Sequence, residues 1–279
     1  MNPRPRIAVF GSVHMDLIAH AQTLPEKARS GMAQGFSMGL GGKGGNQAVE
    51  CVAMGAEAFM VTRLGDDEFG RSLLSSLQAR GVDCSGIEVA EYQQTGASTV
   101  LSAPEGYTSL IFPGAAAAMS VEDIEARIMD LMPLDMLLLQ LELPVALSVA
   151  AARIARANAT TVVLNASPPA GNIDALLACT DFLVVNEAEA IALIGEADAM
   201  KLAKEIGGRA VMTCGAKGSV GSDGSEVYEQ HAVRVEVNST VGAGDAFLAG
   251  LCVELCRSND LKAALEAASQ SAARKLSLT

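Results

Sequence analysis

The chain has 279 residues, half of them hydrophobic and 19% charged, enough for one large core and too apolar for a disordered chain. Its 32 acidic against 20 basic residues give a formal net charge of −12 with no basic stripe, which excludes a nucleic-acid footprint. The six cysteines form no Cys-x-x-Cys pair and the three histidines are scattered, so no zinc framework is present and the thiols read as reduced, in a cytoplasmic protein. The opening MNPRPRIAVFGSVHMD reads as a first strand rather than a signal peptide, and no apolar run is long enough to span a membrane.

Ile7–Phe10 reads as a buried strand ended by Gly11. Short extended pieces at Leu17–Ala21, Met32–Phe36, Ser98–Leu101 and Ser109–Phe112 suggest a small separate sheet. Between them lie a helix from about Gly45 to Met54 closed by Gly55, a strand Ala58–Arg63, and a helix from about Glu68 to Arg80 closed by Gly81. From Val121 the alternation is regular. Helices Val121–Leu131, Val145–Ala157 and Ile173–Ala178 precede strands Met136–Leu141, Thr161–Asn165 and Phe182–Val185, and helices Glu187–Ile194 and Ala199–Ile206 precede strand Ala210–Thr213. Uniformly apolar strands between amphipathic helices predict an α/β fold with a mostly parallel sheet covered on both faces. A hairpin around Asp223-Gly224 and helices Ala243–Cys256 and Leu261–Lys275 complete the chain. Ligands of such sheets sit beyond the carboxyl ends of the strands, which singles out Gly11–Asp16, Glu142, Asn165, Asn186 and Thr213–Gly218.

Two glycine-rich turns open onto helices. The first, Gly39-Leu40-Gly41-Gly42-Lys43-Gly44, formally matches G-x-G-x-x-G, but no buried strand directly precedes it. It also fails as a nucleoside-triphosphate loop, because Gly44 follows Lys43 where a hydroxyl is needed for magnesium. A turn that merely caps a helix would leave Lys43 and Asn46 unexplained. The second turn, Ser239-Thr240-Val241-Gly242-Ala243-Gly244-Asp245, runs straight into an apolar helix. Small residues there let an anion approach the free amides of the first turn, and the helix dipole favours it. Asp245 is either a helix-capping residue or a general base for a hydroxyl attacking a phosphoryl group.

Together these stretches resemble the signatures of the ribokinase (PfkB) family of carbohydrate kinases. Gly41-Gly42-Lys43-Gly44-Gly45-Asn46-Gln47-Ala48 is similar to the N-terminal one and Val241–Phe247 to the C-terminal one. Gly11-Ser12 with Asp16, Gly65-Asp66-Asp67 with Gly70, Gln140-Leu141-Glu142, Asn186-Glu187-Ala188-Glu189 and Thr213–Gly218 follow in family order. The resemblance implies a ribokinase-like three-layer αβα sandwich, one domain over 1–279, with a small β-sheet lid from segments near 16–38 and 97–113. It implies ATP-dependent phosphorylation of a sugar hydroxymethyl group, ribose or a related pentose, in a homodimer formed through the lid.

Residue by residue, the resemblance makes Asp245 the general base, with Gly242 and the amides of Ala243, Gly244 and Asp245 as an anion hole. Asp16, Gly41, Gly42, Lys43, Asn46 and Glu142 would contact the sugar, together with His14, which stands where the family usually has asparagine. Asn186, Thr213, Gly215, Lys217, Gly218 and Gly244 would hold ATP, and Asn186 with Glu189 would order magnesium through water. Glu187 reads instead as part of a solvated helix face. Ser239 replaces the aspartate that, with the residue at Val241, helps hold a monovalent cation, so potassium activation is expected to be weak or absent. The chain stops at Thr279, before the family's usual last loop and helix, which border the adenine. Two alternatives remain: a nucleoside or other sugar kinase of the same family, or a sugar- or nucleotide-binding protein that has lost turnover.

Overall fold

The structure is a computed structural model that describes residues 3–237 and 241–277. In chain order the elements are β1 (Arg6–Phe10), β2 (His14–His20), β3 (Gly35–Gly41), α1 (Lys43–Ala53), β4 (Glu57–Gly65), α2 (Glu68–Ala79), β5 (Ile87–Ala90), β6 (Gly96–Ala103) and β7 (Gly106–Phe112). There follow α3 (Val121–Asp130), β8 (Met136–Leu139), α4 (Val145–Ala157), β9 (Thr161–Asn165), α5 (Asp174–Leu177), β10 (Phe182–Asn186), α6 (Glu187–Ile194), α7 (Ala199–Ile206) and β11 (Arg209–Thr213). The hairpin β12 (Gly218–Ser222) and β13 (Val227–His231) leads to α8 (Ala243–Ser258) and α9 (Leu261–Ser277).

The large sheet has nine strands in the order β13-β12-β11-β10-β9-β8-β1-β4-β5, parallel from β11 to β5 with the antiparallel hairpin at one edge. Successive side chains of a strand point to opposite faces, and here both faces are buried. Ile7 and Val9 pack with α1, α2, α8 and α9 through Ala48, Leu77, Leu251 and Ala264. Ala8 and Phe10 pack with α3, α4 and α7 through Ile128, Ala151 and Leu202. This is why the central strands carry no alternation in their sequence. Helix α8 is buried nearly all round, and its apolar run Ala246–Cys252 reflects that.

The second sheet has four strands, in the order β3-β2-β6-β7, with β2 and β6 parallel. Its placement corrects the sequence reading. The strand expected at Met32–Phe36 lies at Gly35–Gly41, and the glycine-rich stretch is therefore partly strand. β3 is exposed along most of its length, so no apolar pattern marks it, and its ladder to β2, from His14–Gly41 to His20–Gly35, fixes it instead. Helix α1 starts at Lys43 rather than near Gly45, leaving Gly42 alone between strand and helix. β5 was not anticipated, and the strand expected to reach Leu141 stops at Leu139.

Candidate active site

The ends of β1, β8, β9, β10 and β11 and the N-termini of α1 and α8 meet at one edge of the large sheet. A cavity of about 200 Å³ opens there, lined among others by Lys43, Asn186, Glu189, Thr213, Gly242, Gly244 and Asp245. A wider cleft of about 500 Å³, lined by Arg209, Tyr228 and Asp260, lies near the opposite end of β11 and shares no residue with this site.

At the N-terminus of α1 the glycines make room for protein. Gly42 has φ +90°, and a Cβ on it would stand 2.5 Å from the Ser12 carbonyl oxygen. A Cβ on Gly41 would meet the Asp16 carboxylate at 2.3 Å. Gly42 has no side chain to cap the helix, and Glu142 does so from the loop after β8. Its Oε2 accepts from the Lys43 amide at 2.7 Å and, at short range, from the Ser12 hydroxyl. The Gly45 amide donates to the Ser12 carbonyl at 3.1 Å. Two of the first amides of α1, those of Lys43 and Gly45, are thus already taken by the protein.

His14 and Asp16 lie on the same face of β2, the face that also carries Gly41 in the paired strand. His14 is 4% exposed, and its Nδ1 lies 3.1 Å from Asp16 Oδ1, a contact without hydrogen-bond alignment. Asn46 is half-buried in the first turn of α1, beside Lys43.

At the N-terminus of α8 the situation reverses. Gly242 is left-handed at φ +76°, and no acceptor among the described residues takes the amides of Ala243, Gly244 or Asp245. A Cβ on Gly244 would meet nothing within 4 Å, so the ground before these amides is open. A Cβ on Gly242 would stand 3.0 Å from Cε of Lys275, whose ammonium pairs with buried Glu50 at 2.7 Å. Removal from water pushes the Asp245 carboxyl above the usual carboxylate range. The Lys43 ammonium and a hydrogen bond from Gln47 pull it back, while Glu142 and Glu50 push it further up.

On the far side, Asn186 and Glu189 form a capping box on α6. Asn186 Oδ1 accepts from the Glu189 amide and Glu189 Oε2 from the Asn186 amide, both at 2.8 Å. Thr213 ends β11 directly opposite Asn186 of β10. A single turn of 3-10 helix, Gly215–Lys217, then reverses the chain into β12. Gly218 has φ +113°, and a Cβ on it would clash with the Gln230 carbonyl oxygen at 2.0 Å. Lys217 is exposed and pairs with Glu187 at 3.4 Å, so Glu187 does face solvent on the helix. Ser239 lies outside the described residues; Val241 is exposed beside Gly242.

Of the candidates, Lys43, Asn186, Glu189, Thr213, Gly242, Gly244 and Asp245 line the cavity, and the sequence reading gave no role to two further groups beside it. Gln47 sits inside the glycine-rich signature and is fully buried against Asp245, Asn165 and Gln140. Its only sequence signal is a polar residue on the inward face of an amphipathic helix. The other is Ser12, whose partner Glu142 is too distant in sequence for spacing to reveal. Among the described residues no cluster of three or more His, Cys, Asp or Glu side chains could hold a metal ion. No helix among them is long and apolar enough to cross a membrane.

The chain is similar to known proteins over nearly its whole length. The family model for pfkB family carbohydrate kinases matches residues 4–277. The deoxyribokinase of Salmonella typhi is 31% identical over 273 residues, covering 94% of this chain and 89% of that protein. The ribokinase of Bacillus subtilis is 28% identical over 266 residues, covering 95% and 91%. Among solved structures, Arabidopsis thaliana ribokinase complexed with ribose and ATP superposes with a TM-score of 0.85 at 24% identity, over 98% of this chain and 93% of that one. The fold is ribokinase-like, and the chain belongs to the pfkB family of carbohydrate kinases.

Proposed function

We propose that this ATP-dependent sugar kinase transfers the γ-phosphoryl group of ATP to the hydroxymethyl oxygen of ribose or a closely related pentose such as 2-deoxyribose. The observation that carries the reading is Asp245: a partly buried carboxylate in the first turn of α8, beside open helix amides and lining one cavity with Asn186 and Thr213. The sugar hydroxyl gives its proton to Asp245 as its oxygen bonds phosphorus and the bond to ADP breaks. The amides of Ala243, Gly244 and Asp245 face the charge on the transferring group. Asp16, Gly41, Gly42, Lys43, Asn46 and Glu142 form the sugar side, with His14 set behind Asp16. Thr213–Gly218 and Asn186 form the nucleotide side.

Magnesium, when bound, neutralises phosphate charge. Asn186 and Glu189 suit a water-mediated role, since their capping box leaves Glu189 Oε1 outside it and no direct carboxylate cluster exists among the described residues. Potassium activation is weak in this reading. Ser239 is neutral, and Lys275 already brings a positive charge to the Gly242 turn.

The small sheet serves as a lid that excludes water from the phosphoryl group. One of its faces carries Phe36, Met38, Leu110 and Phe112, all more than half exposed, an apolar surface suited to a second copy of the chain. The six free thiols fit a cytoplasmic enzyme.

Sugar-dependent ADP release, measured across pentoses, hexoses and nucleosides, tests the reading. Turnover with ribose or 2-deoxyribose supports it. Preference for a nucleoside moves the chain to another substrate class of its family, and sugar binding without turnover with any sugar makes it a binding protein.

A further inference from the structure

The active-site carboxylate has one protein hydrogen-bond donor among the described residues, and that donor is itself clamped. Gln47 is fully buried on the inward face of α1. Its Nε2 donates to Asp245 Oδ1 at 3.0 Å and to Asn165 Oδ1 at 3.2 Å. Its Oε1 accepts from Gln140 Nε2 at 2.6 Å. The amide therefore uses both of its N–H bonds and its carbonyl at once.

The direction of this chain is fixed chemically. An ionised carboxylate only accepts. Asn165 in turn donates its own Nδ2 to the Val184 carbonyl at 3.3 Å, which leaves its Oδ1 as the acceptor toward Gln47. Turning the Gln47 amide over would place its carbonyl oxygen against two acceptors and its N–H bonds against the Gln140 amide nitrogen. The observed orientation pairs all three polar groups of the Gln47 amide and presents N–H to Asp245, while Gln140 Oε1 stays buried without a hydrogen-bond partner.

We propose that Gln47, held by Gln140, is a positioning residue for Asp245: it fills Oδ1, turns Oδ2 toward the acceptor hydroxyl and favours the ionised, proton-accepting carboxylate. This rests on Asp245 being the general base. Other charges facing Asp245 are Lys43 and Glu50 on α1 and Glu142 after β8. Lys43 works with Gln47, while burial and the two glutamates work against it. Within a low-dielectric site, a donor to the charged form counts for more than it would in water.

The experiment compares the parent with Gln47→Met, which keeps the volume and removes the donor. Its kcat is expected to fall about 10–100-fold, the size of one lost hydrogen bond to a charged group. The acid limb of its kcat–pH profile should move to higher pH, so part of the rate returns in alkaline buffer, while sugar and nucleotide KM stay within about threefold. Gln140→Met, which frees the clamp but leaves the donor, should shift both quantities in the same direction by less. A kcat and acid limb equal to the parent's would overturn the proposal, as would a loss that falls on KM with the limb unmoved.

A readout independent of turnover separates this proposal from the functional reading. The infrared carboxyl band of Asp245, assigned by its disappearance in Asp245→Asn, should titrate at higher pH in Gln47→Met than in the parent. If the parent shows no sugar-dependent ADP release, the kinase reading fails, and the band still decides whether Gln47 controls the carboxyl. If Gln47→Met does not fold, the Gln140→Met profile and band decide: an unmoved limb and band there refute the clamp.

Discussion

Helices α1 and α8 start alike and end up with opposite chemistry. Each follows a glycine with positive φ that supplies no capping side chain, and each shows a glycine-rich turn in the sequence. At α1 the protein takes two of the first amides: Glu142 accepts from Lys43 and the Ser12 carbonyl from Gly45, and Gly42 is needed because Ser12 is packed against it. At α8 no described residue takes the first amides and the space at Gly244 is open. A helix N-terminus attracts an anion only if its amides are still free. The comparison therefore teaches that glycine content does not identify a phosphate site; the acceptor supplied, or withheld, by the rest of the fold does.

The largest effect should come from Asp245→Asn, with kcat reduced about 10²–10⁴-fold in steady-state kinetics and sugar affinity nearly kept. The same variant should not lose stability. Burial raises the Asp245 carboxyl above its unfolded value, so its ionisation destabilises the fold as pH rises through the raised value. The melting temperature of Asp245→Asn relative to the parent should therefore increase between pH 4 and pH 7. A variant that melts lower at pH 7 would mean that the charge is structurally needed.

The two glycines give the next contrast. Gly42→Ala should destabilise the fold by about 1–3 kcal/mol in urea titration, through its strained φ and the contact with Ser12. Gly244→Ala should melt no lower than the parent yet slow kcat about tenfold or more, because its methyl group stands where the anion approaches. If the two variants exchanged phenotypes, the assignment of structural and chemical termini would be reversed.

Glu142→Gln should cost about 1 kcal/mol of stability, since the cap loses its charge at the α1 N-terminus. Its sugar KM should rise. A gain in nucleotide affinity would show instead that α1 is a latent phosphate site blocked by Glu142. The smallest effect concerns potassium: rates with and without it should agree within about twofold in an assay balanced for ionic strength. Strong activation would show that Lys275 does not substitute for a cation.

Much of the fold was readable because buried parallel strands announce themselves as short apolar runs, as in Met136–Leu139 and Phe182–Asn186. The small sheet was located less well. β3 is exposed and glycine-rich, and only pairing with β2 holds it, which no local pattern encodes. β5 is short and only partly buried. At the site, the glycines, Lys43, Asn186 and Asp245 could be picked out from spacing and type. The roles of Glu142 at the α1 terminus and of Gln47 beside Asp245 could not, because their partners lie 99 and 198 residues away.

One residue, Gly42, is all that separates β3 from α1. Asp16 belongs to the sheet on one side of this joint, while Lys43 and Asn46 belong to the helix on the other. A sugar bound by all three would bridge the joint and lock its torsion.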